Sequence, residues 1–154
     1  MAADCMVPVT NHHGPMVPIT LVYRGQLRCD AEHGPSKTHL VTDAPTDNHG
    51  RGESFSPTDL IATGLGACIL TTMGIVAQRD GICVEGATVA VEKHMSPTSP
   101  RRIAKLVVRL TFPFGIAAEA RQKLERAAHT CPVAISLHPD VVQDISFSYA
   151  DVAV

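Results

Sequence analysis

The chain has 154 residues and a mass of 16.4 kDa, with 45% apolar and 18% charged residues. That is enough for one hydrophobic core without staples, and too apolar for disorder as a default state. Thirteen Lys and Arg against fifteen Asp and Glu give a net charge of −2, and there is no Trp, with only two Tyr and four Phe. A general nucleic-acid binder needs a positive field and stacking surface that this composition lacks. The five cysteines, Cys5, Cys29, Cys68, Cys83 and Cys131, are odd in number. The first residues show no basic stretch followed by an apolar one. Both features argue against a secreted disulfide scaffold and for a cytoplasmic protein with reduced thiols.

Residues 1–17 read as a flexible tail, broken by Pro8 and Pro15 and carrying His12-His13 as solvated residues. Residues 18–154 read as a single domain. Ile19 to Cys29 alternates as a strand, with a bulge expected at Gly25, and pairs as a hairpin with a second strand from Thr38 to Thr42. Asp43 to Glu53 is a polar loop rich in turn residues, expected to be flexible. Its length suggests a functional segment.

Ser56-Pro57-Thr58-Asp59 is the clearest helix start in the chain: Ser56 at the N-cap, Pro57 at the first helical position, and Asp59 completing a capping box against the helix dipole. The helix should run to Asp80 and stop at Gly81, about 36 Å at 1.5 Å per residue. Leu60 to Ala77 carries no charge, long enough to invite a membrane reading. Its Gly, Ala and Thr content instead suits a helix buried in a core or at a subunit interface. Strands follow at Cys83 to His94 and Ile103 to Phe112. An amphipathic helix from Ile116 to Thr130, a short helix from Pro132 to Leu137 and a last strand from Val141 to Tyr149 complete the chain. The order β-β-α-β-β-α-α-β is that of an α+β domain.

Two cysteines stand in settings that could carry chemistry. Cys68 is mid-helix, where a cysteine usually serves as a small core hydrophobe. Its helix face also holds Gly64, which would let another backbone approach, and Thr71 and Thr72, whose hydroxyls could donate to a thiolate. Cys131 precedes Pro132, so its sulfur should lie at a helix N-terminus, where amide groups lower a thiol pKa. A buried filler at a helix junction is the competing reading. Cys5, Cys29 and Cys83 have no comparable setting.

Ser56-Pro57-Thr58-Asp59-Leu60 followed by Gly64-Leu65-Gly66-Ala67-Cys68 resembles the Pro-x-Glu-Leu … Ala-x-x-x-Cys helix of the OsmC/Ohr superfamily. Cys131-Pro132-Val133 resembles that family's second cysteine. The resemblance spans residues 19–149 and implies an OsmC-like fold with a long central helix in an intertwined homodimer. It implies a thiol-dependent peroxidase without cofactor or metal, acting on organic hydroperoxides or hydrogen peroxide in an oxidative-stress response. Cys68 would attack the peroxide, Cys131 would resolve the sulfenic acid as a disulfide, and an external dithiol such as dihydrolipoamide would reduce it. Neither nucleic acid nor membrane enters that scheme.

Hydroperoxide reductases of the family carry a glutamate directly after the helix proline, where it helps an arginine activate the thiolate. Here that position is Thr58, and Asp59 lies nine residues before Cys68, about 180° around the helix. Glu53 is the other nearby acid. Arg51 in the adjacent loop is slightly preferred over Arg28 as the activating arginine. The pattern sits closer to the family's less-characterised branch. Two other functions compete: a non-enzymatic dimer that binds a small apolar ligand or senses oxidants, and metal binding by Cys68, Cys131 and His129 or His138.

Overall fold

The computed structural model describes residues 16–113 and 115–150. The expected calls on Cys5 and on His12-His13 lie outside the described residues. The described residues fall into two compact units, divided between Ser54 and Phe55.

The first unit is a three-stranded antiparallel sheet in the order β1 (Ile19–Gly25), β2 (Arg28–His33), β3 (His39–Asp43), followed by a 3-10 turn at Thr46–Asn48. The expected single strand over 19–29 is two strands. The chain reverses at Gln26 and Leu27, both with positive φ (51° and 63°), and the pairing shifts between Tyr23 and Gly25, the expected bulge. Two positive-φ residues in a two-residue loop match the twist of paired strands. The Tyr23 hydroxyl accepts from the Leu27 amide at 3.2 Å and helps hold this turn. Both faces of β1 are open: Ile19, Leu21 and Tyr23 on one side and Val22 on the other are all exposed.

The second unit contains α1 (Pro57–Asp80), β4 (Thr88–Met95), β5 (Ile103–Phe112), α2 (Ala118–His129), α3 (Pro132–Ser136) and β6 (Val142–Tyr149). Its sheet has the order β4-β5-β6, with β4 antiparallel and β6 parallel to β5. The strand expected from Cys83 begins only at Thr88, because the chain first turns through Gly86 at φ 79°. α1 begins and ends where its caps predict. Ser56 accepts from the Asp59 amide, Asp59 accepts from the Ser56 amide at 2.7 Å, and Gly81 closes the helix in the left-handed region.

α1 is long and apolar enough to span a membrane by length and composition alone. In this unit it is the central helix of the core. Ala62, Leu65, Ile69, Met73 and Ala77 form its buried stripe, packed with Leu106, Val108, Leu110 and Phe112 of the sheet and Leu124 and Ala128 of α2. The expectation of burial all round holds for this stripe only: Ile61 is 44% and Ile75 64% exposed. The close approach to the sheet is made at Gly66, where a Cβ would meet Val91 Cγ2 at 2.9 Å. Gly64, expected to make such an approach, has nothing within 4 Å of a Cβ.

Candidate functional site

Cys68 and Cys131 come together in the second unit. Pro132 starts α3, so Cys131 is its N-cap, with an extended backbone at φ −65° and ψ 147°. The Cys131 Sγ accepts from the Ala134 amide at 3.4 Å, and the residue is 0% exposed. The Cys68 side chain, from the middle of α1, lies within hydrogen-bonding reach of it. Both are free thiols, as are Cys29 and Cys83. The helix terminus does not give Cys131 the lowered pKa expected from sequence. Burial pushes this thiol up, and the neighbouring Cys68 adds to the effect, against the opposing amides of Ala134 and Val133. Of the two expected threonine donors, Thr72 acts elsewhere: its hydroxyl donates to the Cys68 carbonyl at 2.8 Å, within the helix.

Between α1 and α3 lies an open hollow of about 360 Å³, lined by Ile61, Gly64, Pro132, Val133, Ser136 and Leu137 but by neither cysteine. Gly64 is one helical turn before Cys68, and Pro132 follows Cys131 directly. The open space around Gly64 is therefore part of this cavity, whose walls are almost wholly apolar. Among the described residues no group of three or more His, Cys, Asp and Glu converges as a metal site, so Cys68, Cys131 and His129 or His138 do not form one.

Arg51, Glu53 and Arg28 belong to the first unit. Arg28 Nη1 meets Glu53 Oε2 at 2.7 Å, while the Arg51 guanidinium donates to the Gln26 side chain. The loop that carries Arg51 and Glu53 is pinned rather than flexible. Gly50 donates to the Pro45 carbonyl at 3.1 Å and Gly52 to the Ala44 carbonyl at 3.3 Å. A Cβ at Gly50 would stand 1.7 Å from that Ala44 oxygen, so only glycine fits. At the base of the loop Asp43 Oδ2 accepts from the Glu53 amide at 3.0 Å.

Asp59 serves the capping box and, in addition, an ion pair absent from the sequence reading. Lys93 Nζ donates to Asp59 Oδ1 at 2.5 Å and to Thr58 Oγ1 at 2.9 Å. Burial opposes ionisation of Asp59, but hydrogen bonds from Lys93 and Ser56 outweigh it and hold the carboxyl below its usual range. Lys93 had a legible signal: it continues the inward-facing positions Val89 and Val91 of β4, where a charged residue needs a partner.

The OsmC-like protein family matches residues 50–146. A Psychrobacter arcticus protein, described as osmotic stress induced and a detoxification response protein, is 40% identical. The match covers 88% of this chain and 98% of that one, with a TM-score of 0.82. The chain belongs to the OsmC-like family. Its fold is shared by more distant structures. One is an organic hydroperoxide resistance protein OsmC from Legionella pneumophila (20% identity, 87% of this chain and 97% of that one, TM-score 0.71). Another is an organic hydroperoxide resistance protein from Elizabethkingia anophelis (17% identity, 90% and 99%, TM-score 0.73). No curated protein matches the chain.

The family match includes Arg51, Glu53, Cys68 and Cys131 but not Arg28. Within this family member Thr58, standing at the position after the helix proline, is engaged by Lys93 and by Ser56 Oγ at 3.1 Å. The position thus contributes to the α1 cap.

Proposed function

We propose that the protein is a cytoplasmic two-cysteine hydroperoxide reductase of the OsmC-like family, working as a homodimer in an oxidative-stress response. The Cys68 thiolate attacks the outer oxygen of R–O–O–H. The O–O bond breaks, one proton is taken up, and the products are R–OH and a Cys68 sulfenic acid. The Cys131 sulfur then attacks the Cys68 sulfur, forming the disulfide and releasing water, and an external dithiol such as dihydrolipoamide exchanges with the disulfide to restore both thiols. The observation that carries this reading is the adjacency of two free thiols, on α1 and at the N-cap of α3, next in sequence to the walls of an apolar hollow. A resolving thiol must reach the sulfenic acid before a second peroxide does, and adjacency provides that. The apolar walls favour an organic hydroperoxide over hydrogen peroxide, because they have little to offer a small polar molecule.

An unperturbed thiol is mostly protonated at neutral pH, so attack requires a positive neighbour. The resemblance gives that role to an arginine paired with a carboxylate, and Arg28, held by Glu53 at 2.7 Å, forms such a pair in this chain. Arg28 and Arg51 are both carried as candidates for it, Arg51 being engaged by the Gln26 side chain. The homodimer is supported by the apolar surface each unit leaves open: both faces of β1, and Ile61 and Ile75 on α1. A second copy of the chain is the occupant proposed for them.

The experiment is consumption of an organic hydroperoxide with dihydrolipoamide. Wild type should turn over, Cys68→Ser should not, and Cys131→Ser should stop after about one equivalent. A wild type that consumes no hydroperoxide would leave the hollow as a binding site for a small apolar ligand, and the reductase reading would fall.

A further inference from the structure

α3 has only five residues, and so short a helix does not hold together unaided in water. Its supports can be named. The Ile135 amide donates to the Cys131 carbonyl at 3.2 Å. The amides of Ala134 and Val133 are turned toward the Cys131 Sγ, that of Ala134 at 3.4 Å. Farther along, Gln143 Nε2 of β6 donates to the Ala134 carbonyl at 2.9 Å, and the Ser136 hydroxyl donates to the Pro132 carbonyl at 2.7 Å. Ile135 is 71% exposed, so its side of the helix adds little packing, whereas Ala134 is buried. A buried N–H without a partner is costly, which makes the Cys131 sulfur a main support of α3. α3 and its C-cap Leu137 in turn provide four of the six residues that line the hollow: Pro132, Val133, Ser136 and Leu137.

We propose that the Cys131 sulfur couples the redox state of the thiol pair to the hollow: the dithiol form holds a small apolar ligand there, and the disulfide form releases it. This deepens the reductase reading above and rests on it. One sulfur is asked to serve two partners. In the peroxide reaction it attacks the sulfur of the Cys68 sulfenic acid. The S–O bond breaks, the hydroxyl leaves as water with the Cys131 proton, and the S–S bond forms. The two sulfurs pass from hydrogen-bond contact to a covalent bond, so one must move toward the other. Cys68 is the fixed member, midway along the 24-residue α1 between the fully buried Leu65 and Ile69. Cys131 heads the short helix, so the displacement falls on it. The sulfur draws away from the Ala134 amide, α3 loses its cap, and one wall of the hollow goes with it. The alcohol R–OH, made in the first step, is discharged as the disulfide forms. Fresh hydroperoxide is then held only where Cys68 can react again. By linkage, a ligand in the hollow favours the dithiol to the same degree.

The test uses the full chain and cumyl alcohol, the product of cumene hydroperoxide, as an unreactive probe. Wild type is compared as the dithiol and as the Cys68–Cys131 disulfide. The disulfide is made with diamide, an azo compound that takes up the two electrons and two protons of the thiols, and is verified by mass spectrometry. Two quantities are read: the affinity for cumyl alcohol, and hydrogen exchange at the Ala134 and Ile135 amides. The disulfide form should bind about tenfold more weakly or worse, with faster exchange at both amides. Cys131→Ser keeps a capping oxygen and cannot form the bond, so it should bind like the dithiol before and after diamide. Cys131→Ala has no acceptor and should bind like the disulfide form without any oxidant. Equal affinity and exchange in the two wild-type forms would overturn the inference and leave the reductase reading standing, as would cumyl alcohol binding to neither form. If diamide makes the disulfide and affinity falls, but cumene hydroperoxide makes no disulfide, the coupling stands as a redox-controlled binding site and the reductase reading falls. If no oxidant joins Cys68 to Cys131, both fall. Should Cys131→Ala not fold, the two wild-type forms and Cys131→Ser decide.

Discussion

Cys131 is subject to two opposed influences, and burial prevails. A thiol whose folded pKa is raised stays protonated at neutral pH, which suits a resolving group that must wait for Cys68 to be oxidised. In native protein treated with iodoacetamide, Cys131 should therefore react later and at higher pH than exposed Cys83. Faster labelling of Cys131 would contradict its burial and its raised pKa. Asp43 has the reverse sign. Its carboxyl is lowered in the fold, chiefly by the Glu53 amide and against burial, so it favours the folded state above the pKa it has in the unfolded chain. That contribution disappears as pH falls through the folded value. Asp43→Asn should flatten the acid limb of the stability profile in urea titrations between neutral and mildly acidic pH. An unchanged acid limb would show that the carboxylate is not coupled to folding.

At the scale of elements, α1 is fixed at its start by Ser56, Asp59 and Lys93, and against the sheet by Gly66. Asp59→Ala removes half the capping box and leaves Lys93, only 16% exposed, without its carboxylate. It should destabilise by about 1–2 kcal/mol while turnover per folded molecule persists, as urea unfolding beside the peroxide assay would show. Gly66→Ala gains up to about 1 kcal/mol of helix propensity. Its Cβ would meet Val91 Cγ2 at 2.9 Å, and overpacking of that kind costs about 1–3 kcal/mol, so the net effect should be loss. Gly74→Ala, with open space around it, should instead gain stability. Equal effects at the two glycines would refute the close approach. These elements also show where sequence is legible. The caps of α1 are local chemistry, readable in Ser56-Pro57-Thr58-Asp59 and Gly81. The reversal at Gln26-Leu27 was hidden because neither residue is one that favours positive φ. Lys93 and Asp43 take their meaning from partners on other elements, so their types alone said little. The two cysteines stood out because helix context and resemblance coincided. The outcome of burial against helix-end amides at Cys131 required the packed structure.

On the scale of the whole molecule, open apolar surface on β1 and α1 points to a second copy of the chain. Sedimentation at micromolar concentration should give a dimer, and Ile75→Asp, placing a charge on the exposed side of α1, should shift it toward monomer. A wild type that sediments as a stable folded monomer would remove the homodimer from the account. The central claim concerns the pair of thiols, and it is tested most directly by peptide mass spectrometry of protein treated with one equivalent of organic hydroperoxide. The account predicts a Cys68–Cys131 disulfide, with Cys5, Cys29 and Cys83 still reduced. Free thiols at both Cys68 and Cys131 after the peroxide is consumed, or a disulfide joining either to another cysteine, would contradict it.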